Sequence, residues 1–234
     1  MSFSAVAEAY ERARPEYPEA AAAWLTGEPP RDVVDLAAGT GKLTRVLVRL
    51  GHRVTAVEPL PEMLDQLRAA VPEAEPVIGR AESMPLADGF ADAVVAGQAY
   101  HWFDPDPALV EIARVLRPGG TLGAIWNMRD ESVDWVARLS EAIGSEGQGE
   151  REPEDEVAAS GLYEPLEEAE FRWEQQLDRA RLRDLVLSRS YCASLPPEER
   201  EPVLAAVEAL YDEAAGPEGL PMPYVTYCFR ARKR

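Results

Sequence analysis

Residues 32–44 read DVVDLAAGTGKLT. The first five, DVVDL, are an apolar run of the length and composition of a buried strand. Leu43, Val46, Leu47 and Leu50 then recur at i, i+3, i+4 and i+7, which makes one apolar helical face ending at Gly51. Between strand and helix, AAGTG is a turn of small residues, suited to a backbone that bends tightly and lies close to a ligand. Spacing removes two familiar ligand loops. A Walker-type phosphate loop needs GxxxxGK followed by Ser or Thr, but Lys42 is followed by Leu43 and position 36 is Leu. A GxGxxG dinucleotide fingerprint is met at Gly39 and Gly41 and broken at Thr44, where the glycine for close helix–strand packing is missing.

Outward from this turn the same alternation continues. Residues 52–58 (HRVTAVE) read as a second strand, and Leu60, Leu64, Leu67 and Val71 mark a second helix that Pro72 stops. Residues 76–78 make a short third strand and 90–96 (FADAVVA) a fourth, with Leu109, Ile112 and Leu116 on the helix after it. RPGG at 117–120 reads as a turn, and TLGAIWN at 121–127 as a fifth strand. Strands alternating with helices in this way imply βαβ units around a parallel sheet. Beyond residue 130 the rhythm changes. Val136, Leu139 and Ile143 suggest another helix, and residues 144–156 (GSEGQGEREPEDE), which hold no apolar side chain, read as a solvated loop. A half-buried strand with Phe171, Trp173, Gln175 and Leu177 follows, then helices near 180–190 and 198–214. In the final strand Val225, Tyr227, Phe229 and Ala231 share one face, and Tyr224, Thr226, Cys228 and Arg230 the other.

The chain of 234 residues is 46% hydrophobic, enough for a real core in one α/β domain or, less easily, two small ones. A formal charge of −18 disfavours phosphate backbones and anionic lipid surfaces as partners. Cys192 and Cys228 are the only cysteines and sit in no CxxC or Cys/His cluster, so neither a disulfide framework nor a metal site is expected. The start lacks the cationic and apolar stretches of a signal peptide, and no apolar run approaches the roughly 20 residues a bilayer requires. The expectation is a soluble, cytoplasmic protein.

VVDLAAGTGKLT resembles the acid-plus-glycine loop of the class I S-adenosylmethionine-dependent methyltransferases, and further segments match that family in order. The resemblance implies that Asp35, Ala37, Gly39 and Gly41 form the cofactor loop, with Ala37 standing where the family has its first glycine. It implies that Glu58, 17 residues after Gly41, accepts hydrogen bonds from both ribose hydroxyls, which argues against a 2′-phosphate. Residues 79–104 (GRAESMPLADGFADAVVAGQAYHWFD) resemble the segment that closes over adenine and opens into the active site. Ala81 and Glu82 would line the adenine edge, Arg80 standing where many relatives carry Asp. Gln98 would touch the methionine amino group or the acceptor. The turn RPGG is also typical of the family. QAYHWF at 98–103, with Tyr10, Arg14, Pro15, Tyr17 and Pro18, is similar to the methyltransferase type 11 branch that includes trans-aconitate methyltransferase-like and other small-molecule O-methyltransferases.

The likeness spans residues 30–127 well and the C-terminal third in outline. It implies a Rossmann-like seven-stranded, mostly parallel sheet with helices on both faces, an antiparallel final strand and a helical cap. A single domain 1–234 would divide into an N-terminal lid (1–30), a cofactor-binding core (31–127), a cap with late sheet elements (128–216) and the final strand (217–234). The implied reaction is methyl transfer from S-adenosylmethionine to a small molecule, on the oxygen of a carboxylate or hydroxyl. A carboxylate acceptor is already ionised at pH 7 and needs only desolvation and orientation. A hydroxyl gains from a base, for which His101 is the candidate, its other reading being part of the wall beside Trp102. Trp102 and Phe103 are either an apolar rim or packed core, and Tyr10, Arg14 and Tyr17 would belong to the lid. His52 falls at the wrong edge of the sheet for a ligand and is read as structural. Two other classes stay open: a nucleotide-dependent oxidoreductase, disfavoured by Thr44 and the reversed last strand, and a catalytically silent cofactor-binding module.

Overall fold

A computed structural model of the chain describes residues 15–143, 153–187, 192 and 195–234. Tyr10, Arg14 and residues 144–152 of the acidic stretch lie outside them. The elements begin with helix α1 (Glu19–Thr26), strand β1 (Asp32–Leu36), α2 (Lys42–Arg49), β2 (Arg53–Glu58), α3 (Pro61–Ala70), β3 (Glu75–Ile78) and β4 (Ala91–Gly97). A 3₁₀ turn (Tyr100–Trp102), α4 (Pro105–Val115), β5 (Leu116–Arg129), α5 (Asp134–Ile143) and α6 (Pro153–Ser160) follow. The chain finishes with β6 (Glu167–Leu177), α7 (Arg179–Leu187), α8 (Pro197–Ala214) and β7 (Leu220–Arg232).

The seven strands form one sheet in the order β3-β2-β1-β4-β5-β7-β6, six parallel and the last antiparallel. β1 pairs in parallel with β2 and with β4, bringing Asp35 beside Ala56 and Val95. The order reverses at β1, so the crevice beyond the carboxyl ends of β1 and β4 is where an open α/β sheet takes a ligand.

The described residues group into two compact units. One holds those of Glu16–Asn127, Gly149–Phe171 and Thr226–Arg234; the other holds those of Met1–Pro15, Met128–Gln148 and Arg172–Val225. In the first, strands buried on both faces explain the near-continuous apolar runs in the sequence. Val34, Leu36, Val94 and Ala96 face one cluster with Leu109 and Ile112 of α4 and Val157 of α6. Val33, Ala93 and Val95 face the other, with Ala21 and Leu25 of α1, Leu43, Val46 and Leu47 of α2 and Leu67 of α3. In the second unit α5, α7 and α8 bury Val136, Leu139, Leu182, Leu185, Leu204 and Val207 with Leu220 and Met222 of β7. Trp173 there stacks on Tyr224 with centroids 5.1 Å apart.

Two expectations change. RPGG is no turn ahead of a strand but part of β5, whose pairing with β4 shifts register between Ala91 and Ala93, so that Ala91 meets Leu116 and Ala93 meets Thr121. Gly119, at φ +73°, absorbs the extra residues as a bulge does. The end of the acidic stretch is the start of helix α6: Glu154, Asp155 and Glu156 lie in its first turn, where negative charge meets the positive end of the helix dipole, and buried Val157 anchors it. Charge there serves a helix terminus rather than solvating a loop.

Candidate active site

The alternation along β1 dictates where its acid points. Asp35 falls on the Val33 side, the face covered by α2, and it is fully buried there. Thr44, in the first turn of α2, donates its hydroxyl to Asp35 Oδ2 at 2.5 Å. Thr44 therefore replaces the packing glycine of a dinucleotide loop with a hydrogen-bonded anchor. Burial pushes the Asp35 carboxyl up to about 7, with the Thr44 hydrogen bonds pulling it down and the nearby charge of Glu58 adding to the rise.

The turn between them is held open by backbone conformation. Ala37, Gly39 and Gly41 have φ of +56°, +55° and +91°. Alanine in the left-handed region costs about 1 kcal/mol or more, so the loop carries strain at Ala37. Gly41 begins α2 in a place where a Cβ would stand 3.0 Å from Leu67. Gly39 differs: a Cβ there would meet nothing within 4 Å, so the loop faces open space at that residue.

Glu58 ends β2 and is buried, yet it is turned onto this loop. Its Oε2 accepts the Gly39 N–H at 3.0 Å and its Oε1 the Leu60 N–H at 3.1 Å. Each oxygen keeps a lone pair for a further donor. Leu60, two residues further on, is 45% exposed and offers an apolar surface beside this carboxylate.

At the end of β4 the chain turns sharply at Gln98, φ +53°. The Gln98 amide donates from Nε2 to the Asn127 carbonyl at 3.3 Å, which leaves Oε1 as the acceptor end, buried and with no hydrogen-bond partner among the described residues. Tyr17 lies against the residue before it: a Cβ on Gly97 would stand 2.7 Å from the Tyr17 hydroxyl. Only glycine lets the tyrosine ring settle on the strand there. Next come His101 and Trp102 on the 3₁₀ turn, rings 4.9 Å apart. Burial holds the His101 imidazole below its ordinary value, hence neutral at pH 7. Trp102 is 79% exposed, so its packed-core reading falls, whereas Phe103 is buried against Tyr100.

Ala81 packs into the core, and Glu82 accepts the N–H of Asp104, the residue just ahead of α4, at 3.1 Å. Glu111 and Arg114 of α4 clamp the same segment by its Met84 N–H and its Met84 and Leu86 carbonyls. His52, at the opposite edge, pairs through Nε2 with Thr26 Oγ1 at 3.0 Å and touches none of these groups. Asp35, Gly39, Gly41 and Glu58 thus share one loop, and Tyr17 and Gln98 share the end of β4. Asn127, which bonds Gln98 and the Glu16 carbonyl next to Tyr17, was missed because an isolated asparagine near a strand end carries no sequence signal.

The comparisons decide the family. The methyltransferase domain family matches residues 34–124. An uncharacterized methyltransferase of Mycobacterium bovis is 47% identical over 99% of this chain and 95% of that protein. The chain belongs to the class I S-adenosylmethionine-dependent methyltransferases. A solved structure from Anaeromyxobacter dehalogenans, named for a type II methyltransferase, superposes on this methyltransferase with a TM-score of 0.68 at 26% identity, covering 94% of this chain and 97% of that one. A partial match, the malonyl-[acyl-carrier protein] O-methyltransferase of Methylococcus capsulatus, is 39% identical over 41% of this chain and 37% of that protein. Among the described residues of the methyltransferase no helix is long and apolar enough to cross a membrane.

Proposed function

We propose that this methyltransferase methylates an oxygen of a small-molecule carboxylate or hydroxyl, with S-adenosylmethionine held across the ends of β1, β2 and β4. The observation that carries the cofactor placement is the buried Glu58 carboxylate bonded to the Gly39 N–H beside open space. The unpartnered Gln98 oxygen suits an ammonium and the Glu58 carboxylate suits a vicinal diol: a set of acceptors that fits a ribose-bearing amino acid.

When bound, S-adenosylmethionine supplies a methyl group on a sulfonium, an electrophile that needs no activation by the protein. The chain's own residues hold and shield. Glu58 would take the ribose hydroxyls on its remaining lone pairs, Leu60 would lie along the adenine face, and Ala81 and Glu82 would flank its edge. Gln98 Oε1 would accept from the ammonium, and Asp35, Ala37, Gly39 and Gly41 would shape the loop around the amino-acid end. Tyr17 covers the end of β4 and excludes water there. Neutral His101 would take the proton of a hydroxyl acceptor, and exposed Trp102 would form an apolar wall. The partial likeness to an O-methyltransferase supports oxygen as the acceptor atom, and the charge of −18 supports small acceptors over polyanions.

Methyl transfer from labelled S-adenosylmethionine to a panel of carboxylic acids, phenols, alcohols and amines tests this reading. Label in the acids or hydroxyl compounds is expected; label confined to amines, or none at all in protein that binds S-adenosylhomocysteine, refutes it.

A further inference from the structure

Two consecutive residues tie the segment ahead of α1 to the site. The Glu16 carbonyl accepts Asn127 Nδ2 at 3.0 Å, and the Tyr17 ring rests on Gly97. Asn127 is buried near the end of β5, and both ends of its amide and its carbonyl are used: Oδ1 accepts the Thr226 hydroxyl at 2.6 Å, and its main-chain carbonyl accepts the Gln98 amide. One residue thus meets the strap at 16–17, the strained Gln98 at the end of β4, and β7.

We propose that Asn127 is a positioning residue that fastens the Glu16–Tyr17 strap over Gly97 and Gln98 and so keeps the cofactor crevice closed on that side. This rests in part on the proposed cofactor placement. The second tether of the strap is electrostatic: Glu16 pairs with Arg45 and Arg49, each at 3.0 Å. Those groups are partly exposed, and such pairs are screened by salt, whereas the Asn127 bond is part-buried and comes from a buried side chain that salt does not screen. Asn127 therefore supplies the part of the fastening that salt does not weaken. The arrangement also orients Gln98: because the Asn127 carbonyl takes one N–H of Nε2, the amide is fixed with Oε1 unpaired, and only a hydrogen-bond donor satisfies that oxygen.

The test uses three variants of the full chain. Asn127→Asp keeps the acceptor for Thr226 but sets a carboxylate oxygen against the Glu16 carbonyl, which releases the strap. Thr226→Val removes the other bond of Asn127 and leaves the strap fastened. Should Asn127→Asp not fold, Asn127→Ser, neutral and too short to reach Glu16, takes its place. S-adenosylhomocysteine affinity by titration calorimetry should fall about five- to tenfold in Asn127→Asp, the value of one hydrogen bond, and stay within about twofold of wild type in Thr226→Val, although both lower the urea midpoint. Hydrogen exchange over residues 15–25 should quicken about threefold or more in Asn127→Asp only. Equal effects of the two substitutions on affinity and exchange would make Asn127 merely structural and overturn the proposal. Wild-type protein that binds no S-adenosylhomocysteine while the exchange pattern holds would sink the cofactor placement and leave the fastening role standing; unchanged exchange in Asn127→Asp sinks the latter.

Discussion

Glu58 carries two duties, and removing it should separate them. Its carboxylate accepts two backbone N–H groups, Gly39 at 3.0 Å and Leu60 at 3.1 Å. Hydrogen bonds to a charged group contribute about 1.5 to 3 kcal/mol each. Glu58→Ala strands both donors, but water entering the space left behind recovers part of the loss, so a destabilisation of about 2 to 4 kcal/mol is expected. The ligand term is separate. Two ribose hydroxyls without their acceptor weaken binding by about 1 to 3 kcal/mol, which is about 5- to 150-fold in Kd. Glu58→Gln should fall between, because its amide oxygen satisfies one of the two N–H groups while its NH2 opposes the other. Urea unfolding measures the first term and calorimetric titration with S-adenosylhomocysteine the second, in buffer of one pH. A folded Glu58→Ala protein with wild-type affinity would show that the ribose lies elsewhere. An unchanged unfolding midpoint would mean that the carboxylate does not clasp the loop.

Substitutions at the two loop glycines should part company: Gly41→Ala drives a Cβ to 3.0 Å from Leu67 at φ +91° and should cost about 2 to 3 kcal/mol in urea unfolding, whereas Gly39→Ala meets no neighbour and should cost about 1 kcal/mol while weakening S-adenosylhomocysteine by tenfold or more. Equal stability losses would refute that contrast. The Asp35 carboxyl, about 7 in the fold and about 3.9 in the unfolded chain, holds a proton between those values that the unfolded chain has released, so it costs the wild type stability as pH rises through the window. Asp35→Asn does not titrate, and its stability relative to wild type should rise by up to about 4 kcal/mol between pH 4 and 8 in chemical denaturation; a flat difference would show that the carboxyl is not buried. If the acceptor is a hydroxyl, His101→Gln should lower kcat about 100-fold or more and remove an acid limb lying below pH 6.5, whereas a loss under tenfold assigns His101 to the wall.

Local signals reached far into this protein. The step from a short apolar run to period 3.6 around AAGTG marked β1, the glycine turn and α2 within a residue of their bounds, because a parallel strand and an amphipathic helix each write their burial into short-range pattern. The same logic put Glu58 at a strand end and His52 at the opposite edge. What pattern did not reach depended on partners distant in the chain. RPGG carries every mark of a turn, yet it lies within β5, where the Gly119 N–H donates to the Lys233 carbonyl and the Gly120 carbonyl accepts the Lys233 N–H. Trp102 is apolar and still stands in solvent, because the short 3₁₀ turn spends its inward positions on Tyr100 and Phe103.

By itself, then, the sequence determined the alternating α/β layout, the turn with its acid, and the acid at the end of β2, since each follows from neighbours within a few residues. Tertiary structure alone decided what those groups do. It set Thr44 on Asp35, turned Glu58 onto Gly39, and brought Asn127 to Glu16 and Thr226, 111 and 99 residues away along the chain. A buried polar atom must find a partner wherever the fold supplies one, and no local periodicity records where that partner comes from.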